Sequence, residues 1–191
     1  MTMRTTLNRL RRRWLRRWIW QPVFGEEQRG RLLRNTRISS ASVIEHEDKL
    51  VLSDNVFIGA FNFIEASGGI TIEEGVQITS HSAIVTHSSH RSIRLLGRNY
   101  ASRQGVMPGF VKAPIRIGAF SFIGPHSLIE AGARIGRGCV VCAYSQVRGE
   151  VPDFAIVAGQ PARVVGDVRE RDAELLKQYP ELAAHYKENF A

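Results

Sequence analysis

Two histidines lie close together near the middle of the chain, in the segment Ile84-Val-Thr-His-Ser-Ser-His90. Imidazole has a reference pKa of about 6.5, so a histidine can accept a proton and return it near neutral pH. The same ring is also a common metal ligand. His87 and His90 are therefore candidates for proton transfer or for metal binding. The third alternative is that both are ordinary surface residues of a turn.

A long segment without a regular pattern follows these histidines. Residues 90–113 contain the glycines and the proline typical of a loop, and a loop of this length in a compact domain usually has a function. Its side chains suited to an anionic or glycan substrate are Arg94, Arg98, Tyr100 and Arg103. The alternative is that this loop is simply solvated.

A six-residue repeat indicates the elements that position these residues. An aliphatic residue recurs at Leu52, Ile58, Ile64, Ile72, Ile78, Ile84, Ile117, Ile123, Ile129, Ile135, Val141 and Val147. Six residues per flat face and about 18 per coil are typical of a parallel β-helix. The repeat predicts an all-β solenoid over residues 38–166, with residues 90–113 as an excursion from one corner. His81 and His126 occupy the same place in their repeats, so we expect them to stack, with Tyr144 next.

Two segments resemble a known family. They are Ile117-Gly-Ala-Phe-Ser-Phe-Ile-Gly-Pro-His-Ser-Leu-Ile-Glu-Ala-Gly-Ala-Arg-Ile-Gly-Arg-Gly138 and Ala158-Gly-Gln-Pro-Ala-Arg163. Both resemble the hexapeptide-repeat acyltransferases, in the branch of maltose, galactoside and other sugar O-acetyltransferases and xenobiotic acetyltransferases. The resemblance implies a left-handed β-helix, a homotrimer with active sites between subunits, and acetyl transfer from acetyl-CoA to a hydroxyl of a sugar or glycan.

The resemblance also implies roles for individual residues. A histidine beside the loop is the general base, and the resemblance favours His90, which Arg91 follows as in xenobiotic acetyltransferases, with His87 as the substitute. Asn62 and Glu65, in the coil below, are candidates for hydrogen bonds to the acceptor. The residues expected to contact acetyl-CoA are Pro125, Ala143, Arg148 and Arg163.

Three other functions stay open at this stage. A zinc enzyme like the gamma-class carbonic anhydrases needs three convergent histidines, and the spacing of His81, His87 and His90 does not match that family, so we expect no metal cofactor. A xenobiotic O-acetyltransferase acting on an antibiotic hydroxyl is the second alternative. The third is a catalytically silent β-helix that serves as a membrane-associated scaffold.

Charge is distributed unevenly along the 191 residues, whose net charge is +8. Residues 1–37 contain eleven arginines and two acidic residues, whereas residues 38–191 carry a net charge of −1. A nucleic-acid partner for the body is therefore not expected. No apolar run approaches the ~18 residues of a membrane-spanning helix, so we expect a cytoplasmic protein.

The two ends of the chain are predicted to be helical. In the basic arm, residues 1–37, Leu7, Leu10, Trp14 and Trp18 recur at helical spacing with arginines opposite, which is typical of a helix on a membrane surface. Packing of this arm on protein is the alternative. The C-terminal segment, residues 167–191, is predicted to be helical with a break at Pro180.

Overall fold

The chain winds into a prism with three β-sheets as its faces, and these sheets are parallel except for an antiparallel pair at each end of the first. The computed structural model describes residues 7, 10, 11, 14, 22–28 and 30–190. Sheet 1 contains, in spatial order, β1 (Pro22–Gln28), β2 (Arg31–Ser39), β5 (Phe57–Ile58), β8 (Gln77–Ile78), β13 (Phe122–Ile123), β16 (Val140–Val141), β19 (Ala155–Gly159) and β20 (Ala162–Asp167). Sheet 2 contains β3 (Val43–Glu45), β6 (Phe63–Glu65), β9 (Ala83–Val85), β14 (Leu128–Ile129) and β17 (Gln146–Val147). Sheet 3 contains β4 (Leu50–Leu52), β7 (Ile70–Ile72), β12 (Ile115–Ile117), β15 (Arg134–Ile135) and β18 (Glu150–Val151).

The aliphatic residues of the repeat form the core. Ile58, Ile78, Ile123 and Val141 pair in register through four successive coils of sheet 1, and each is completely buried. β-Branched side chains suit such strands because they pack well against the same residue in the neighbouring strand. Parallel pairing and register confirm the predicted solenoid of hexapeptide repeats.

Residues with a left-handed backbone turn the chain at the corner between sheets 1 and 2. Phe61, His81, His126 and Tyr144 have φ between 58° and 64°. Their rings stack in a column, with centroids 5.0 Å apart for Phe61 and His81 and 4.9 Å apart for each of the next two pairs. The predicted stacking of His81, His126 and Tyr144 is confirmed.

The long loop leaves the solenoid at the corner between sheets 2 and 3. It begins at β10 (His87–Ser88) and returns at β11 (Val111–Lys112), which pair antiparallel as a short ribbon. Between them lie helix α1 (Ser92–Leu96) and a 3₁₀ turn, Gly97–Asn99. Because Ile117 pairs with Ile72, the solenoid resumes in register after the loop, as predicted.

The N-terminal boundary differs from the prediction. Residues 22–37 were expected to belong to the basic arm, but they contain β1 and most of β2, which pair antiparallel at the edge of sheet 1. Within β2, Leu33 is buried and β2 pairs in parallel with β5, so this segment closes the first coil. Among residues 1–21, the described Leu7, Leu10, Arg11 and Trp14 are helical.

The C-terminal segment packs against the solenoid of its own chain. Helix α2 (Val168–Gln178) is followed by a 3₁₀ turn at Pro180–Leu182 and by helix α3 (Ala183–Phe190). The break at Pro180 is confirmed. The ring of Phe190 packs edge-on against Phe120 and Phe154, at 5.3 and 6.1 Å between centroids. No helix in the described part of the chain is long and apolar enough to cross a membrane.

We expect Ile78→Ala to lower the free energy of unfolding by about 2–5 kcal/mol, because it leaves a cavity in the aliphatic column. The matched control is Gln77→Ala, one residue away on the outer, exposed face of β8, with an expected change within about 0.5 kcal/mol. Chemical denaturation of both variants measures the difference. Equal losses would contradict the assignment of this column as the core.

Candidate active site

A histidine and a buried carboxylate meet at the foot of the loop. Glu65 ends β6, and His87 begins β10 one coil further along the solenoid. Glu65 Oε2 lies 2.7 Å from His87 Nδ1, and the Glu65 side chain is only 3% exposed. A buried carboxylate is stable only where hydrogen-bond donors or an opposite charge surround it.

Donors surround Glu65 on both oxygens. The Ser67 amide donates to Oε1 at 2.8 Å, and the Thr86 hydroxyl donates to Oε2 at 2.7 Å. Burial alone would raise the pKa of Glu65, but hydrogen bonds from Ser67, Thr86 and His87 outweigh it and lower the pKa to about 2. Glu65 is therefore ionised at neutral pH and can only accept hydrogen bonds.

An ionised Glu65 determines which nitrogen of neutral His87 carries the proton. Nδ1 must be the protonated nitrogen, because it donates to the carboxylate, and this leaves the lone pair on Nε2. Nε2 has no hydrogen-bond partner among the residues that the structure describes. The ring of Phe110 stacks on the imidazole at 5.5 Å, and the His87 side chain is 38% exposed. His87 therefore presents an oriented proton acceptor.

His90 has a different environment. Its side chain is exposed, and its Nδ1 lies 2.8 Å from the Ser88 hydroxyl. No carboxylate contacts His90 within the described ranges, so its ring is less firmly oriented than that of His87. Arg94 donates to the His90 carbonyl oxygen at 2.6 Å, which holds the backbone and leaves the imidazole unaffected.

Both histidines border one cavity of about 440 Å³. It is lined by Val85, His87, Ser88, His90, Arg91, Val111, Leu128, Glu130, Ala131 and Arg148. Glu130 directly follows β14, and Arg148 directly follows β17 in the next coil. Arg148 Nε lies 2.7 Å from Glu130 Oε2. Arg148, predicted to contact acetyl-CoA, thus lies in the same cavity as the histidines.

A second cavity, of about 250 Å³, lies at the C-terminal end of the solenoid. Arg148 and Arg163 both line it, and Arg163 Nη1 donates to the Ala162 carbonyl at 2.9 Å. Pro125 and Ala143 instead lie at the corner between sheets 1 and 2, next to His126 and Tyr144. Within one chain, these two predicted acetyl-CoA contacts are on the opposite edge of sheet 2 from His87.

The residues predicted to contact the acceptor lie in different places in the structure. Asn62 is buried, its Nδ2 donates to the Gly59 carbonyl of its own coil, and its Oδ1 accepts from the Ser82 amide of the next coil, each at 2.8 Å, so both ends of its amide are bonded within the solenoid. Glu65 faces His87 instead of the cavity. Arg94, Arg98 and Tyr100 lie on the loop and do not line the cavity.

Sequence reasoning missed Glu130, which lines the cavity, and Phe110, which stacks on His87. It also missed the role of Glu65. The sequence did contain a signal for this role. An acidic residue directly follows a core isoleucine, one coil before a histidine, at a position where strand alternation would place the side chain in solvent. Three ligands for a metal do not converge on His87, since His81 and His126 stack at another corner. No group of three potential metal ligands occurs among the described residues.

Comparisons with known proteins agree with the geometry of the solenoid. The structure places this chain in the class of parallel β-helix proteins built from hexapeptide repeats, with a histidine beside a corner loop. The family model "Bacterial transferase hexapeptide (six repeats)" matches residues 114–149. This match confirms the predicted resemblance to the hexapeptide-repeat transferases.

Two curated relatives are similar to this chain. A Mycobacterium tuberculosis (strain ATCC 25618 / H37Rv) protein, named as a probable acetyltransferase, is 34% identical over 122 residues, covering 63% of this chain and 38% of its own length. Galactoside O-acetyltransferase of Escherichia coli K12 is 30% identical over 105 residues, covering 54% of this chain and 46% of its own. The chain thus spans less than half the length of either relative.

Two solved structures share the fold. The crystal structure of a maltose O-acetyltransferase from Clostridium difficile 630 has a TM-score of 0.54 at 21% identity, covering 66% of this chain and 63% of that one. A mutant of AntD, an N-acyltransferase from Bacillus cereus in complex with dTDP and coenzyme A, has a TM-score of 0.57 at 20% identity, covering 77% and 88%.

We expect the stability of the protein to depend on pH through Glu65. Because the pKa of Glu65 is about 2 when folded and near 4.5 when exposed, its ionisation stabilises the fold above pH 4.5. This contribution is lost as the pH falls from about 4.5 towards 2. Urea unfolding at several pH values should therefore show a smaller acid-induced loss for Glu65→Gln than for the wild type. Identical losses would show that the carboxylate is not held as described.

Proposed function

We propose that this chain is a CoA-dependent acyltransferase that moves an acetyl group from acetyl-CoA to a hydroxyl of a sugar or glycan. The pair of Glu65 and His87, at the edge of a cavity in a hexapeptide β-helix, is the observation that carries the proposal. The curated relatives named as acetyltransferases support the donor, and galactoside O-acetyltransferase supports the sugar acceptor.

His87 is the general base in this proposal. Its Nε2 takes the proton of the acceptor hydroxyl while that oxygen attacks the thioester carbonyl carbon, which gives a tetrahedral intermediate. The carbon–sulfur bond then breaks, the acetyl ester remains on the acceptor, and the CoA sulfur receives the proton from the imidazolium. Glu65 stabilises the imidazolium and holds the ring, in the way a buried carboxylate orients a catalytic histidine. This assigns to His87 the role that the resemblance favoured for His90.

Arginines at the C-terminal end of the solenoid suit the phosphates of CoA. Arg148 and Arg163 line one cavity, and a guanidinium binds phosphate through paired hydrogen bonds. Glu130 holds Arg148 on the wall shared with the His87 cavity, so a ligand bound along both cavities would run from the phosphates to the base. In our proposal, Pro125 and Ala143 of one copy of the chain contribute to the acetyl-CoA site of an adjacent copy.

A homotrimer accounts for this separation. The corner that holds Pro125 and Ala143 carries the exposed ring column, with Phe61 42% and Tyr144 62% exposed. By contrast, the outer face of sheet 3 carries ion pairs such as Arg116 with Glu73. An edge of aromatic rings suits a subunit contact better than a charged face does. In the proposed trimer, this edge of one copy faces the His87 cavity of the next.

The N-terminal arm is proposed to hold the enzyme at the inner face of the membrane. Leu7 and Leu10 are 56% and 55% exposed on helical positions, and Arg11 lies beside them. A cationic helix with an exposed apolar face binds anionic lipid surfaces. The proposed acceptor is then a sugar or glycan available at that surface.

We expect His87→Ala to lower kcat by at least ~100-fold, the scale of losing a general base, with little change in acetyl-CoA binding. The matched control is His90→Ala, which borders the same cavity without a carboxylate partner, and we expect less than a ~10-fold loss. Release of CoA thiol is measured with nucleotide sugars, free sugars and chloramphenicol-like alcohols as acceptors.

Other outcomes of this assay separate the competing functions. A larger loss of kcat in His90→Ala than in His87→Ala would assign the general base to His90. Turnover with the antibiotic alcohols alone would favour the xenobiotic enzyme. Silence with every acceptor, together with no binding of acetyl-CoA, would contradict acyl transfer and favour a scaffold.

A further inference from the structure

The loop beside His87 has an unusual charge. Of its residues, Arg91, Arg94, Arg98, Arg103 and Lys112 are cationic, and residues 90–113 contain no aspartate or glutamate. Residues 1–37 hold a further net charge of +9, so the remainder of the chain is net −6. A net positive charge is therefore confined to these two segments.

The cations of the loop have no carboxylate partner among the residues that the structure describes. Elsewhere in the described residues, Arg116, Arg134, Arg137, Arg148 and Arg169 each pair with a carboxylate. No ion pair in this part of the chain includes any of the five loop cations. Arg94 and Arg103 donate only to backbone carbonyls of His90 and Val106. These loop cations are available to an anionic partner.

Apolar side chains project between these cations. Ile93 is 48% exposed, Leu95 67% and Val106 79%, and Val106 is the most exposed large apolar residue of the described chain. Exposure of this kind, next to unpaired cations, is typical of a surface that contacts an interface.

The loop is folded, so this surface is a defined one. The ribbon of β10 and β11 closes its base, and the buried Ser92 hydroxyl donates to the Pro108 carbonyl at 2.8 Å. At Gly109, φ is +77° and a Cβ would lie 2.7 Å from Arg91 Cβ, so the returning chain packs closely against the start of α1. These contacts hold the loop in a defined conformation, on which its cations and apolar residues are exposed.

We propose that this loop surface, formed by Ile93, Arg94, Leu95, Arg98, Arg103 and Val106, binds an anionic lipid membrane. A bilayer with anionic headgroups accepts cations and apolar side chains together, whereas a polyanion would leave Leu95 and Val106 without a partner. The arm has the same combination of arginines and exposed leucines, so one lipid surface suits both segments.

The consequence for catalysis rests on the proposed function. His87 lies in the ribbon at the base of the loop, so binding of the loop surface would bring the His87 cavity close to the headgroups. The acceptor class that fits this placement is a sugar carried on a lipid anchor.

The test measures co-sedimentation of the full chain with vesicles of phosphatidylcholine, with and without phosphatidylglycerol. The loop variant carries Arg94→Gln, Arg98→Gln and Arg103→Gln. Each cation near an anionic bilayer changes binding by about fivefold, so we expect about a 100-fold loss on the anionic vesicles only. The matched control removes three exposed cations elsewhere, Arg134→Gln, Arg171→Gln and Lys177→Gln, and we expect less than a ~10-fold loss.

A second variant, Leu95→Ser with Val106→Ser, should also weaken binding to anionic vesicles, which separates an interfacial surface from a purely ionic one. Equal binding by the loop and control variants would overturn the proposal. Hydrogen exchange supplies an independent reading, because vesicles should protect the amides of residues 91–107. Protection that instead rises with protein concentration, without vesicles, would assign the loop surface to a second copy of the chain.

Membrane binding is read without any acyl transfer, so its result does not depend on the proposed reaction. His87→Ala should bind vesicles like the wild type. Vesicle binding without thioester cleavage would support the membrane-binding loop surface and contradict the proposed acyl transfer. Thioester cleavage without loop-dependent vesicle binding would support acyl transfer and contradict the membrane-binding loop surface.

Discussion

The stacking of one aliphatic residue per face, in register from coil to coil, is the constraint on which the rest of the structure depends. Ile72 and Ile117 are direct neighbours in sheet 3, although 45 positions separate them in sequence. An insertion can therefore occur only at a corner, and it must return to the corner that it left. The loop of residues 90–113 satisfies this rule through the ribbon of β10 and β11.

The candidate site follows from the same constraint. Because the coils are in register, the end of β6 lies beneath the start of the loop, and Glu65 meets Thr86 and His87 from the coil above. The site thus combines a rigid solenoid strand with the base of a loop. Burial makes the carboxylate costly unless it is hydrogen-bonded, and the donors that satisfy it also set the tautomer of His87.

Features set by the local repeat could be predicted from the sequence, whereas those set by side-chain direction could not. The register of the isoleucines, the corner of the excursion and the stacking of His81 on His126 all follow from a six-residue period. Glu65 was expected to bond an acceptor because it lies in the coil below His90. The structure buries it beside Ile64, where its carboxylate meets His87.

The start of the solenoid was also hidden from sequence patterns. In β2, burial recurs every third residue, at Leu33, Thr36 and Ser39, a spacing that neither a strand nor a hexapeptide repeat produces. The arginines of this segment therefore suggested an extension of the basic arm. This segment belongs to sheet 1 because β2 pairs antiparallel with β1, and the six-residue repeat does not predict that pairing.

Catalysis by this site requires that buried Glu65 fixes the proton of His87 on Nδ1 and leaves Nε2 as the acceptor. Nitrogen-15 NMR of the imidazole, at a pH where His87 is neutral, tests this most directly. We expect a protonated Nδ1 and an unprotonated Nε2 in the wild type, with this preference reduced in Glu65→Gln. A wild-type ring with its proton on Nε2 would contradict the proposed role of Glu65.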